Sequence, residues 1–161
     1  MQYYAEYISP MGNLLLTSDG EALTGLWIGR DAPEDTVSLD TLPALQKVGV
    51  WLDAYFRGEP REIDFPLAAG GTAFQKLVWE LLLQIPYGET STYGAIAREI
   101  ARQMGKEKMS AQAVGQAVGR NPINIIVPCH RVVGAKGELT GYAGGLDKKI
   151  WLLNHEHTNV R

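Results

Sequence analysis

The chain carries one cysteine, Cys129, set between Pro128 and His130 in the run IVPCHRV. A lone cysteine is by default a small buried hydrophobe. It cannot form an internal disulfide, and a thiolate zinc cluster is excluded with it. The neighbours of Cys129 add chemistry, however. It follows the apolar run Ile123 to Val127 at what reads as a strand edge, and Arg131 lies two residues on, where a thiolate could be stabilised. His130 is adjacent, but successive side chains of an extended strand point to opposite faces. Pro128 predicts a turn, and a water is expected to bridge Cys129 to His130. His130 would then act as base through that water, with Glu156 fixing its tautomer and stabilising the imidazolium. Tyr142, with glycines on either side, adds a polar group nearby. This set activates a thiol without specifying its substrate.

Several elements must position these residues. Asn13 to Ser18 and Leu23 to Ile28 are short apolar runs around Asp19-Gly20, the pattern of a hairpin. From Pro43, Leu45, Val48, Leu52 and Tyr55 recur at helical spacing until Gly58 and Pro60. Phe65 to Thr72 reads as a Pro- and Gly-rich linker. Thr72 and Gln75 then form a capping-box pattern ahead of the apolar stripe Phe74, Leu77, Val78, Leu81, Leu82 and Ile85, which Pro86 and Gly88 end. Two short helices follow, from the N-cap Thr92 to Ala101 and from the N-cap Ser110 to Gly119. The polar, basic connection between them suits a helix-turn-helix, although many helical hairpins bind nothing. The second helix is built almost wholly of small residues, Ala113 and Gly115 among them. It packs tightly against another helix, or it enters a groove too narrow for bulky side chains, such as the DNA minor groove.

The 161 residues suffice for one domain or two small ones, and 45% of them are hydrophobic, which argues against disorder and coiled coil. No apolar run approaches the roughly 18 to 20 residues of a membrane helix, and MQYYAEYISP lacks the layout of a signal peptide. A cytoplasmic protein is expected. The net charge of −3 conceals an asymmetry. Residues 1–70 hold 11 acids against 4 bases, whereas residues 71–161 hold 7 acids against 11 bases. Between Arg98 and Lys136, seven bases, Arg120 and Arg131 among them, face only Glu99 and Glu107. Such a segment is a solvated basic face or a phosphate-facing surface.

PCHRV, with GRNP upstream and GYAGG and WLLNHE downstream, resembles the O6-alkylguanine-DNA alkyltransferase family from about Thr72 to Glu156. Residues 9–28 resemble its N-terminal domain more loosely. The resemblance implies an α+β protein. A small ribonuclease-H-like sheet-plus-helix domain, residues 1–68, precedes a mainly helical domain with a winged helix-turn-helix, residues 69–161. It implies a monomer that binds duplex DNA through the minor groove and flips O6-alkylguanine, with O4-alkylthymine as a further candidate. The alkyl group would pass irreversibly to Cys129, once per molecule, with His130 and Glu156 keeping the sulfur anionic. Tyr93 matches the tyrosine that donates to guanine N3, and Asn121 the asparagine that ties the recognition helix to the cysteine loop. Tyr142 matches a pocket wall, and the backbone of Val132 a contact to the exocyclic amine. No cofactor and no metal are implied. The zinc of some relatives needs cysteines absent here, and His155-Glu156-His157 does not present two histidines on one helix face.

Two positions depart from the family. Gln112 stands where an arginine usually fills the space left by the flipped base, which predicts weaker or more salt-tolerant DNA binding. Ala143 replaces a serine, leaving only a backbone N–H to serve guanine O6. A catalytically silent lesion-binding module and a Cys-His-Glu thiol hydrolase are the alternative functions. The presence of Cys129 argues against the first, and multiple turnovers would mark the second.

Overall fold

The computed structural model describes residues 2–156, which fall into two compact units. The first comprises the described chain from 2 to 70 together with Pro122–Asn124. Its strands are β1 (Gln2–Ser9), β2 (Gly12–Ser18), β3 (Leu23–Ile28) and β4 (Thr36–Ser38), in the order β3-β2-β1-β4. The first three are antiparallel neighbours and β4 runs parallel to β1. The expected hairpin is β2–β3, closed where the Asp19 carboxylate accepts the N–H groups of Glu21 and Ala22. Leu14, Leu15 and Leu16 are all buried, so the centre of β2 is covered on both faces. Helix α1 (Pro43–Phe56) buries Leu45, Val48, Leu52 and Tyr55, the residues its periodicity singled out, and also Trp51.

The linker is partly ordered by β3: Leu23 N–H donates to the carbonyl of Pro66, and Ala68 N–H to that of Leu23. The run Ile123–Val127 is a correction to the sequence reading. It forms no strand. Leu26 N–H donates to the Pro122 carbonyl, and the Asn124 side-chain amide donates to the Leu26 carbonyl at 2.9 Å. The chain then turns through Ile125 at φ +71°, a conformation rarely adopted by a β-branched residue. Ile123, Ile125, Ile126 and Val127 are buried nonetheless, which explains why the run reads as a core strand.

The second unit comprises residues 71–121 together with the described chain from 125 to 156. Helix α2 (Ala73–Leu82) has the full capping box: Gln75 N–H donates to Thr72 Oγ1, and Thr72 N–H to the Gln75 side chain. Its buried face is Val78, Trp79 and Leu82, each contributing about 1.5–3 kcal/mol through burial. Trp79 Nε1 donates to the Ala117 carbonyl at 2.8 Å, tying α2 to α4 (Ala111–Gly119). Helix α3 (Tyr93–Gln103) starts at the Thr92 cap, runs two residues beyond the expected end, and packs on α4 as the helix pair foreseen. The strand pair β5 (Ser91–Thr92) and β6 (Val132–Val133) is parallel and joins the start of α3 to the chain after Cys129. Helix α5 (Leu146–His155) closes the described chain. None of the described helices is long and apolar enough to cross a membrane.

Candidate active site

Pro128 does end the apolar run. Cys129–Arg131 form a single 3₁₀ turn, with Arg131 N–H donating to the Pro128 carbonyl at 3.0 Å. This turn places consecutive side chains in one buried neighbourhood, which a continued strand would have prevented. His130 has no exposed surface, and its Nε2 lies 2.7 Å from Glu156 Oε2. Its other ring nitrogen, Nδ1, is buried with no hydrogen-bond partner among the described residues. Glu156 follows α5 and is 1% exposed. The Arg131 guanidinium grips the same carboxylate, Nε to Oε1 at 2.7 Å and Nη2 to Oε2 at 3.1 Å, and donates through Nη1 to the Ile85 carbonyl.

Arg131 is therefore neither a surface cation nor a partner of the sulfur, as its place in the basic segment had suggested. It is buried and committed to Glu156, which would otherwise be an uncompensated charge in the core. Burial alone would raise the Glu156 carboxyl. The His130 bond and the Arg131 guanidinium outweigh it and pull the group down to about 2. Burial lowers the His130 imidazole against the opposing pull of Glu156, so the ring is neutral and able to accept a proton.

The resting sulfur also differs from expectation. Burial pushes the Cys129 thiol up to about 11, despite the opposing effects of Asn121, Lys149 and Tyr142. The group rests as a thiol rather than an anion, because desolvation exceeds what its neighbours return. Asn121 is held by the bond from its Nδ2 to the Val127 carbonyl at 2.9 Å. Tyr142 lies edge-on to His130, with its ring centre 6.4 Å away and its hydroxyl beside Cys129. Burial, then the proximity of Cys129, keeps that hydroxyl protonated.

Sequence reading missed Lys149. It is 1% exposed, and its Nζ donates to the carbonyls of Val132 at 2.7 Å and Thr140 at 3.2 Å. The signal was present: Lys149, Leu152, Leu153 and Glu156 follow helical spacing, which puts the lysine on the same buried stripe as the leucines. Its bond also shows that the Val132 carbonyl already has one donor.

Outside this cluster lies an open cleft of about 690 Å³. It brings together Tyr93, Gln112, Gly115, Tyr142 and Ala143 of the expected residues, along with Thr140. The Tyr93 and Thr140 hydroxyls are 2.7 Å apart, joining the first turn of α3 to the loop before Tyr142. A Cβ at Gly115 would sit 3.7 Å from the Tyr93 ring, an ordinary contact, so Tyr93 alone does not demand glycine there. Ala113 and Arg120 are not part of this cleft. They line a neighbouring one with Thr72, Phe74 and Gln116.

His155 stacks on Trp151, while Glu156 serves His130 and Arg131; His157 lies outside the described residues. Among the described residues, no three His, Cys, Asp or Glu converge as a metal site.

Comparison with known proteins places this geometry. The model of the 6-O-methylguanine DNA methyltransferase DNA-binding domain matches residues 73–158, and that of the same family's ribonuclease-like domain matches residues 2–69. The methylated-DNA–protein-cysteine methyltransferase of Methanosarcina acetivorans is 48% identical over 159 residues, covering 96% of this chain and 97% of that protein. Its counterpart from Haemophilus influenzae is 44% identical, over 96% of this chain and 86% of that protein. The crystal structure of Mycobacterium tuberculosis OGT in complex with DNA superposes with a TM-score of 0.82 at 45% identity, covering 96% of this chain and 92% of that one.

Proposed function

Because the chain belongs to the 6-O-methylguanine DNA methyltransferase family, we propose that it repairs DNA by direct reversal, moving the alkyl group of O6-alkylguanine to Cys129. The observation that carries this reading is the buried 2.7 Å bond between His130 and Glu156, one residue from the only cysteine. It leaves a neutral imidazole with Nδ1 unengaged among the described residues, held in place from the opposite side.

The minor groove of a duplex receives α4, and the flipped guanine enters the cleft between Tyr93 and Tyr142. The thiol rests protonated, so its proton must leave as the sulfur attacks. That proton passes through a water to His130 Nδ1, and Glu156 stabilises the imidazolium. The sulfur forms a bond to the alkyl carbon while the bond from that carbon to guanine O6 breaks in line. The Tyr93 hydroxyl donates to guanine N3 as the purine leaves, which neutralises it. Asn121 keeps the recognition helix in register with the cysteine turn, and the Val132 carbonyl accepts from the exocyclic amine. Lys149 braces that carbonyl and supplies positive charge as the sulfur becomes anionic. Ala143 offers its backbone N–H to O6. The product is a thioether that imidazole and water do not hydrolyse, so each molecule acts once.

Residues 1–68 form the non-reacting domain of this scheme and residues 69–161 the alkyl-accepting one. The protein works as a cytoplasmic monomer until it meets DNA. Titration with a duplex bearing O6-methylguanine should yield one repaired base per protein and then stop. Product in excess of protein would mark a thiol hydrolase, and binding without product a silent lesion sensor.

A further inference from the structure

A third cleft, of about 580 Å³, opens on the side of α3 that leads into the helix-helix connection. Its floor is Gly94, Ala97 and Ala101, and its rim carries Arg98, Arg102, Lys106 and Lys108. Arg102 is neutralised by Glu99, with its guanidinium bonds to that carboxylate at 2.9 and 2.5 Å. Arg98, Lys106 and Lys108 have no carboxylate partner among the described residues, and Glu107 is the only acid on the rim.

The connection that carries the two lysines is anchored at both ends. Gly105, at φ +66°, closes α3: its N–H donates to the Arg102 carbonyl, and that of Lys106 to the Ala101 carbonyl at 2.8 Å. This pair of bonds is a Schellman ending, which sets where the chain leaves the helix. At the other end, Ser110 Oγ accepts the Ala113 N–H and caps α4. Lys106 and Lys108 are thus presented from a short segment fixed at its two termini.

We infer that this cleft seats the sugar-phosphate backbone of the duplex beside the lesion, with Lys106 and Lys108 each neutralising a phosphate. Two features select that occupant. The cations ring an apolar floor, matching phosphates that alternate with deoxyribose. The cleft also meets the Gln112 cleft at Ala111, which lines both, so a strand leaving one surface passes onto the other. The arrangement supplies positive charge to a recognition surface that carries Gln112 in place of an arginine. The inference rests on the DNA-repair reading above.

The test is duplex affinity measured by fluorescence anisotropy between about 50 and 200 mM salt, where each phosphate contact adds about 0.9 to the logarithmic salt slope. The full-length chain is compared with Lys106→Ala/Lys108→Ala and with Lys47→Ala, which removes an exposed lysine of the other unit. The double variant should lose about 1.8 from the slope, so that wild type loses roughly tenfold more affinity than the variant across that range. Lys47→Ala should leave the slope unchanged, and all three proteins should share the same thermal midpoint and far-ultraviolet spectrum. An unchanged slope in the double variant, or an equal loss in Lys47→Ala, overturns the inference. So does equally tight binding of poly-L-glutamate with the same dependence on the two lysines, which would make the cleft an acidic-peptide site. Absence of salt-dependent duplex binding by wild type would instead sink the DNA-repair reading itself.

Discussion

Around Cys129, four ionisable side chains are buried together: His130, Arg131, Lys149 and Glu156. Each is fixed by short bonds to another member or to a backbone carbonyl. On α4 and its flanks, by contrast, Gln112, Gln116 and Arg120 are exposed, and Lys106 and Lys108 stand on an exposed turn held by the backbone bonds that end α3 and the Ser110 cap of α4. The difference teaches where each kind of free energy resides. In the proposed mechanism, chemistry depends on a preorganised set in which removing one member strands the others in a poorly solvated place. DNA affinity, as proposed, depends on exposed groups that act nearly independently and through a screened field. Substitutions in the first region should therefore be coupled and large, and those in the second additive and small.

The largest effect is expected from Glu156→Gln. It strands the buried Arg131 guanidinium and removes the partner of the imidazolium. Single-turnover repair should slow by about 10²–10⁴, and urea unfolding should show a loss of about 3–5 kcal/mol. If the variant keeps its rate, the two regions do not differ as described. Acid provides a parallel test. The Glu156 carboxyl lies at about 2 when folded, against 4.5 ordinarily, so its stabilising contribution is complete above about 4.5. It fades as pH falls toward 2, and thermal midpoints should show that acid limb in wild type and lack it in Glu156→Gln.

The repair rate has its own pH dependence, next in size. His130 titrates below its usual value, so the neutral base persists through the physiological range. The rate should hold at neutral pH and drop about tenfold per pH unit once below the lowered histidine value. A break at or above pH 6.5 would show that the imidazole is not held neutral by burial.

Lys149→Met comes third. It removes a buried positive charge near the sulfur and the donor that braces the Val132 and Thr140 carbonyls. Repair should slow about tenfold, the change expected for roughly one unit in the effective basicity of the sulfur. Lesion-duplex affinity should change less than the rate, and an equal fall in both would make Lys149 merely a scaffold for the pocket. Gln112→Arg is the smallest. On the exposed face it should raise duplex affinity a few-fold, by about 0.5–1 kcal/mol, and steepen the salt dependence by about one contact. No change in affinity or repair rate would remove the significance given to glutamine at this position.

The same division governs how much could be read from the sequence. Helices α1, α2, α3 and α4 announced themselves through periodicity and caps, and the pairing of His130 with Glu156 was expected from their residue types. The run Ile123–Val127 misled because burial, not conformation, dictates apolar residues: a buried irregular turn and a core strand have the same composition. Arg131 misled for the converse reason. A charge in sequence carries no mark of whether it faces water or a buried carboxylate, and here Glu156, 25 residues on, decides it. Lys149 was legible only by noticing that it shares a helical face with Leu152 and Leu153. The resting protonation of Cys129 depends on desolvation, which no local motif encodes.

The central claim is that Cys129 is the alkyl acceptor, and intact-mass analysis tests it most directly. After incubation with a duplex bearing one O6-methylguanine, the protein should gain the mass of a single methyl group. Peptide mapping should place it on Cys129, with none on Cys129→Ser. A protein of unchanged mass alongside repaired DNA, or a methyl group on any other residue, would contradict the account.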